Sequence, residues 1–168
     1  MISQKLQDAI NYQINRELFS EYYYLSMASY FNSLSLSGFE NFFLVQAQEE
    51  RFHAMKLYNF LNERGGRVLL QALEAPKTEF ASPIEVFELA YEHETVVSGL
   101  INDLMDLAIK ENDHAVKNHV DWFVEEQVEE EDSMDTVLSK LKLINGEGHG
   151  LLILDSELAQ RTFEPTEE

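Results

Sequence analysis

Apolar residues recur every three to four positions along most of the chain, the interval at which side chains leave one face of an α-helix. Leu6, Ile10, Gln13, Glu17, Glu21, Tyr24, Ala28 and Phe31 form the first such row and predict a helix over residues 3–32. Phe39, Phe43, Gln46, Glu50, His53, Leu57 and Phe60 predict a second over 38–64. Phe87, Ala90, Glu94, Val97, Ile101, Leu104 and Ala108 predict a third over 83–110, and Val116, Val120, Phe123, Gln127, Glu130, Met134, Val137 and Leu141 a fourth over 113–143. A shorter apolar segment predicts a fifth helix over 150–160. Boundary chemistry agrees. Ser37-Gly38-Phe39-Glu40 and Ser82-Pro83-Ile84-Glu85 read as capping boxes, the second with proline at the first helical position. Gly65-Gly66 and Asn145-Gly146 supply stops, and Glu111-Asn112-Asp113 a tight polar turn. Between Gly65 and Ala81 the period lapses around Pro76. A connection that long points to a crossover from one end of a helical bundle to the other. The expectation is one all-α domain over 1–168: a four-helix bundle with a long crossover, a short fifth helix, and a frayed acidic tail from Thr162 to Glu168.

Each of the four long rows is apolar except near its middle. There the first carries Glu17, the second Glu50 with His53, the third Glu94, and the fourth Gln127 with Glu130. Glu50 and His53 lie three apart, so they leave one helix face about a turn apart and converge on one point, a metal-ligand spacing. Unpaired carboxylates buried in a core neutralise or destabilise the fold. Two divalent cations remove that cost, because four carboxylates balance two charges of +2. Oxygen-rich ligation with one nitrogen suits iron or manganese better than a closed structural zinc site. The competing reading is a partly solvated or salt-bridged network, and few basic residues lie on these rows to build one. Beside the constellation, Glu49 adjoins Glu50, and Glu126 and Glu129 share a helix face with Glu130. These could meet in a third acidic cluster or form an ordinary solvated face.

Composition narrows the chemistry. With 31 acidic against 12 basic side chains, the formal charge is −19. Nucleic acid and anionic membranes are repelled and cations attracted. The absence of cysteine excludes disulfides, thiolate zinc and iron–sulfur centres. No apolar run approaches the ~20 residues of a membrane helix, and the first residues do not form a signal peptide, so a soluble, cytoplasmic protein is expected.

Glu17, Glu50-x-x-His53, Glu94 and Gln127-x-x-Glu130 on four helices resemble the ferroxidase centre of the ferritins, specifically the non-haem prokaryotic type. The resemblance covers nearly the whole chain. It includes Asn15-Arg16-Glu17-Leu18, Gln46-Ala47-Gln48-Glu49-Glu50, Glu63-Arg64-Gly65-Gly66 and the run from Trp122 to Glu131. It implies that Glu17, Glu50 and His53 hold one iron, and Glu94, Glu130 and a bridging Glu50 the second, with Gln127 close by. It also implies a third iron at Glu49, Glu126, Glu129 and Glu130, and places Tyr24 near the irons as an electron donor, although most buried tyrosines are only packed. Trp122 reads as core, and His93, His114, His119 and His149 fall off the four rows. The activity implied is oxidation of ferrous iron by dioxygen and storage of the ferric product in a hollow homo-oligomer of 24 subunits. A haem-binding bacterioferritin would carry methionine where this chain has Arg51, and a second Glu-x-x-His on the fourth helix. A DNA-protecting mini-ferritin would often carry a basic tail, whereas these termini are acidic. A non-catalytic helical scaffold would not oxidise iron.

Overall fold

The computed structural model describes residues 2–165. Its elements are α1 (Gln4–Ser33), α2 (Ser37–Glu63), α3 (Pro83–Lys110), α4 (His114–Leu143) and α5 (Gly148–Leu158), and all regular structure among the described residues is helical. The four long helices match the four periodic rows within a residue at each end, and α5 begins two residues earlier than expected. α1 packs along α2, α3 along α4, and α5 against α2.

Three of the helix starts are capped by the side chains the sequence offers. Ser3 accepts a hydrogen bond from the Leu6 amide at 3.3 Å, Ser82 from Glu85 at 3.1 Å and Asp113 from Val116 at 3.0 Å. The Glu85 carboxylate returns to the amide of Ala81, one residue before the expected partner. The box predicted at Ser37 does not form. The cap position is Leu36 and makes no side-chain bond. The amides of Gly38 and Phe39 donate instead to Asp155 Oδ1 on α5, at 2.8 and 3.0 Å, and Glu40 accepts from Asn32. A carboxylate 117 residues away replaces the local hydroxyl, because α5 lies against this helix end. At the other end of α2, Gly65 takes φ +74°, and the amide of Gly66 bonds back to the Leu61 carbonyl at 2.9 Å.

The crossover runs along α1. Asn11 donates to the Arg67 carbonyl (3.0 Å) and accepts from the Leu69 amide (2.7 Å); Asn15 donates to Ala72 O, and Ser26 to Lys77 O. These side chains satisfy backbone groups that a structureless strap would otherwise leave unpaired. The strap starts beside the N-terminal half of α1 and finishes with Phe80 against Tyr30, near its C-terminal end. α2 and α3 therefore start at the same end of the bundle, the arrangement a long connection permits.

Two apolar clusters fill the bundle ends. Tyr24, Phe31, Phe39, Phe43, Phe87 and Met134 belong to one, and Ile10, Ile14, Leu57, Val97, Val120 and Phe123 to the other. Between them lies a belt of buried polar side chains: Glu17, Gln46, Glu50, His53, Glu94, Gln127 and Glu130, each at most 5 % exposed. The expected tail is anchored at its start, with Phe163 edge-on to Phe52. The last three residues of that tail, 166–168, lie outside the described part.

Candidate metal centre

The interruption in each row falls at the same level of the bundle, so four helices deliver their carboxylates to one small volume. Oxygen and nitrogen atoms of Glu17, Glu50 and His53 lie within 4.8 Å of one another, and so do those of Glu50, Glu94 and Glu130. Glu50 belongs to both groups. His53 Nδ1 is 3.5 Å from Glu50 and 4.0 Å from Glu17. Glu17 Oε2 is fully buried with no hydrogen-bond partner, an orphan acceptor of the kind a cation would satisfy. The donor set of four carboxylates and one imidazole fits two hard or borderline divalent cations.

The remaining lone pairs are held by amides. Gln13 donates to Glu17 at 2.7 Å, and Gln46 to both Glu50 (3.2 Å) and Glu130 (2.5 Å). Gln127 donates to Glu94 at 3.1 Å and to Ser98 at 3.3 Å, so it stands beside the second group and orients one of its carboxylates. Tyr24 donates its phenolic hydrogen to the other oxygen of Glu94. Such outer partners fix the ligands in place.

His53 also faces a third group. Its Nε2 is 3.7 Å from Glu126, and atoms of His53, Glu126 and Glu130 lie within 4.8 Å of one another. Nδ1 thus faces the first position and Nε2 faces Glu126, so one ring stands between the two groups. Glu49 is close enough for the charges of His53 and Glu126 to act on its carboxyl, but it is paired with Arg161 at 2.5 Å. Glu129 is exposed and belongs to none of the three groups.

Burial and crowded carboxylates set the electrostatics of the site. Burial raises Glu94 to about 7, outweighing the hydrogen bonds from Tyr24 and Gln127 that favour its charged form. Burial and then the charge of Glu94 raise Glu130 to about 8 and lift Glu50 well above the carboxylate range. For His53, burial opposes protonation, yet hydrogen bonds to Glu126 and Glu50 prevail and raise it. Burial, then the neighbouring carboxylates, push Tyr24 well above the phenol range.

Three further residues belong to the site: Gln13 and Gln46, which stand on the first and second rows, and Arg161. Gln13 precedes Glu17 by four residues, as Gln46 precedes Glu50, and an amide one helical turn before a buried carboxylate is a readable signal. Arg161 lies beyond α5 and has no such signal. Of the histidines off the rows, His93 is not a bystander: it sits edge-on to Tyr23 and Tyr24 and shares a hydrogen bond of 2.8 Å with Ser20. Burial, then Arg16, lowers it to about 4, so it stays neutral.

The family model for the ferritin-like domain matches residues 7–144, which span all four long helices. Among curated proteins, the bacterial non-heme ferritin of Staphylococcus saprophyticus is 40% identical over 167 residues, covering 99% of this chain and 100% of that one. The chain belongs to the ferritin family. The non-heme ferritin of Staphylococcus aureus is 38% identical to this ferritin over 164 residues, or 98% of this chain and 99% of the relative. Among solved structures, an open-pore ferritin from the hyperthermophilic archaeon Archaeoglobus fulgidus superposes with a TM-score of 0.95 at 50% identity, over 96% of this ferritin and 100% of its own chain. An engineered closed form of the Archaeoglobus protein gives 0.96 at 50% identity, over 98% and 100%. The fold expected from the four rows and the likeness to non-haem prokaryotic ferritins are both borne out.

Proposed function

We propose that this ferritin binds two ferrous ions per subunit, oxidises them with dioxygen, and stores the ferric product as an oxyhydroxide mineral. The observation that carries the reading is the buried Glu17 oxygen without a partner, set among four carboxylates and one imidazole contributed by four helices. Glu17, Glu50 and His53 take the first ion; Glu50, Glu94 and Glu130 take the second. Each ion gives one electron to dioxygen, and the fixed carboxylates offset the charge that develops. Gln127 holds Glu94, and Tyr24, hydrogen-bonded to the same carboxylate, is placed to supply a further electron. Glu49 and Glu126, next to Glu130, form the ancillary third position through which iron passes. The iron is substrate and cargo, and haem has no part in this reading. The working form is a cytoplasmic homo-oligomer, a hollow shell of 24 subunits that encloses the mineral.

Ferrous salt added first without oxygen and then with it tests the reading. Two ions bound per subunit and prompt oxygen uptake are expected. Glu50→Ala breaks both groups at once and should slow the fast phase of oxidation by about a hundredfold, the upper end of what even an outer-shell change costs a metal site. Oxidation at the parent rate in this variant would show that the site is misplaced. Replacing Glu49 and Glu126 together by Ala should change the iron oxidised per dioxygen consumed while sparing the first turnover.

A further inference from the structure

Beyond α5 the chain reaches into the metal centre. Asn41 on α2 donates to the carbonyls of Leu158 and Arg161, at 3.1 and 2.9 Å, which fixes the chain as it leaves α5. From there the Arg161 guanidinium lies over the Phe42 ring, 4.3 Å from its centroid. Its Nη2 donates to two side chains, Gln46 Oε1 at 2.9 Å and Glu49 Oε2 at 2.5 Å. Gln46 is fully buried, and it donates onward to Glu50 and Glu130. A guanidinium can only donate, so it settles which way this amide faces: oxygen toward Arg161, nitrogen toward the two ligands. One cation from the C-terminal segment therefore touches the third position directly and the two main positions through a single amide.

The balance of charge at the third position turns on this arginine. Glu17, Glu50, Glu94 and Glu130 balance two divalent ions between them. Glu49 and Glu126 then remain for a third ion, but Arg161 already neutralises one of them. With the arginine in place a third divalent ion finds one uncompensated carboxylate; with it displaced, it finds two. Both side chains of the Arg161–Glu49 pair are only 21% exposed, so water screens this competition weakly. We propose that Arg161 is an internal counter-cation for the third metal position, withholding Glu49 until a third divalent ion displaces the guanidinium. Displacement also removes the partner of Gln46 Oε1, so filling the third position loosens the amide that holds Glu50 and Glu130. Asp155 and Asn41 keep the rest of the segment on α2, which confines the exchange to one side chain.

The proposal rests on the functional reading above, and a titration of the assembled protein with cobalt(II) under anaerobic conditions separates the two. Calorimetry gives the affinities and visible absorption the ligand field at each step. The parent is expected to bind two ions tightly and a third more weakly. Arg161→Gln should strengthen the third step by about tenfold or more, the scale of one charge-assisted hydrogen bond, with a smaller change in the first two. Arg161→Lys, which keeps the charge but not the fork, should give a smaller rise and carries the test alone if the glutamine variant fails to assemble. Adding Glu49→Gln to Arg161→Gln should return the third step to the parent value or weaker. A third step unchanged or weakened in both single variants, or all three steps strengthened equally, overturns the proposal while the buried pair stands. A parent that binds no cobalt overturns the functional reading and the proposal with it.

Discussion

Glu50 is the one residue shared by the group of Glu17, Glu50 and His53 and the group of Glu50, Glu94 and Glu130, and its neighbours show how burial acts on the carboxyls of the site. Glu94 at about 7 and Glu130 at about 8 hold their protons at pH 6, because burial disfavours their charged forms. A divalent ion must expel those protons to bind, so binding is coupled to pH. Manganese(II) titrated anaerobically at pH 6 in buffers of different ionisation enthalpy should release protons from both carboxyls, and the release should fall away as the pH passes 8. Proton release independent of pH would contradict the raised values. The same shifts act on stability, and here the sign is definite. Each folded value lies above the ordinary 4.5. The folded form binds more protons in that interval, and its advantage is full below about 4.5 and lost as pH rises through 7 and 8. Metal-free protein should accordingly melt at progressively lower temperature from about pH 5 to 8, and saturating manganese should reverse the trend. A melting temperature that rises over this range without metal would refute the argument.

The joint between α2 and α5 carries the most information among the elements. Asp155 caps α2 with two charge-assisted bonds to backbone amides, at the positive end of the helix dipole. Asp155→Ala should cost about 1–2 kcal/mol, the range for a lost cap, and thermal unfolding reads it. Gly38→Ala should cost more, since a Cβ there would stand 1.6 Å from the Asp155 carbonyl oxygen and neither backbone can yield without separating the helices. If either variant melts with the parent, the joint does not carry stability. This joint also marks how far the sequence can be read. Helix spans are legible because each long row repeats its period through many turns, and the di-metal residues because they break those rows at one level. Ser82 and Asp113 are legible as caps because their partners are three residues away. Ser37 misleads for the converse reason: a good local cap loses to Asp155, which only tertiary packing brings near. Arg161 is illegible on the same grounds, for nothing in the order of residues places the end of α5 beside Gln46. The two asparagines that hold the crossover, Asn11 and Asn15, lie off the core row, and their burial comes from the strap rather than from the helix.

At the scale of the whole molecule, two pairs of adjacent, large apolar side chains stand exposed among the described residues. On α5, Leu152 and Ile153 are 58% and 59% exposed; on the crossover, Leu69 and Leu70 are 51% and 71% exposed. α5 rests on α2, while the crossover lies along α1 with the exposed Tyr22 and Leu25 near its far end. A single two-fold contact pairs one patch with its own copy and leaves the other in water. Covering both calls for a contact of one patch with the other or for two different contacts per subunit, and either builds an assembly larger than a dimer. Multi-angle light scattering at micromolar concentration should therefore report a species larger than a dimer. Leu152→Glu with Ile153→Glu places two charges on the α5 patch only, and should yield smaller assemblies in which the remaining contact survives. Helicity by circular dichroism should hardly change, because both side chains point away from the α2 face that α5 covers with Leu154 and Leu158. A parent that stays monomeric, or a double variant that assembles to the parent size, would show that the α5 patch is not a subunit contact.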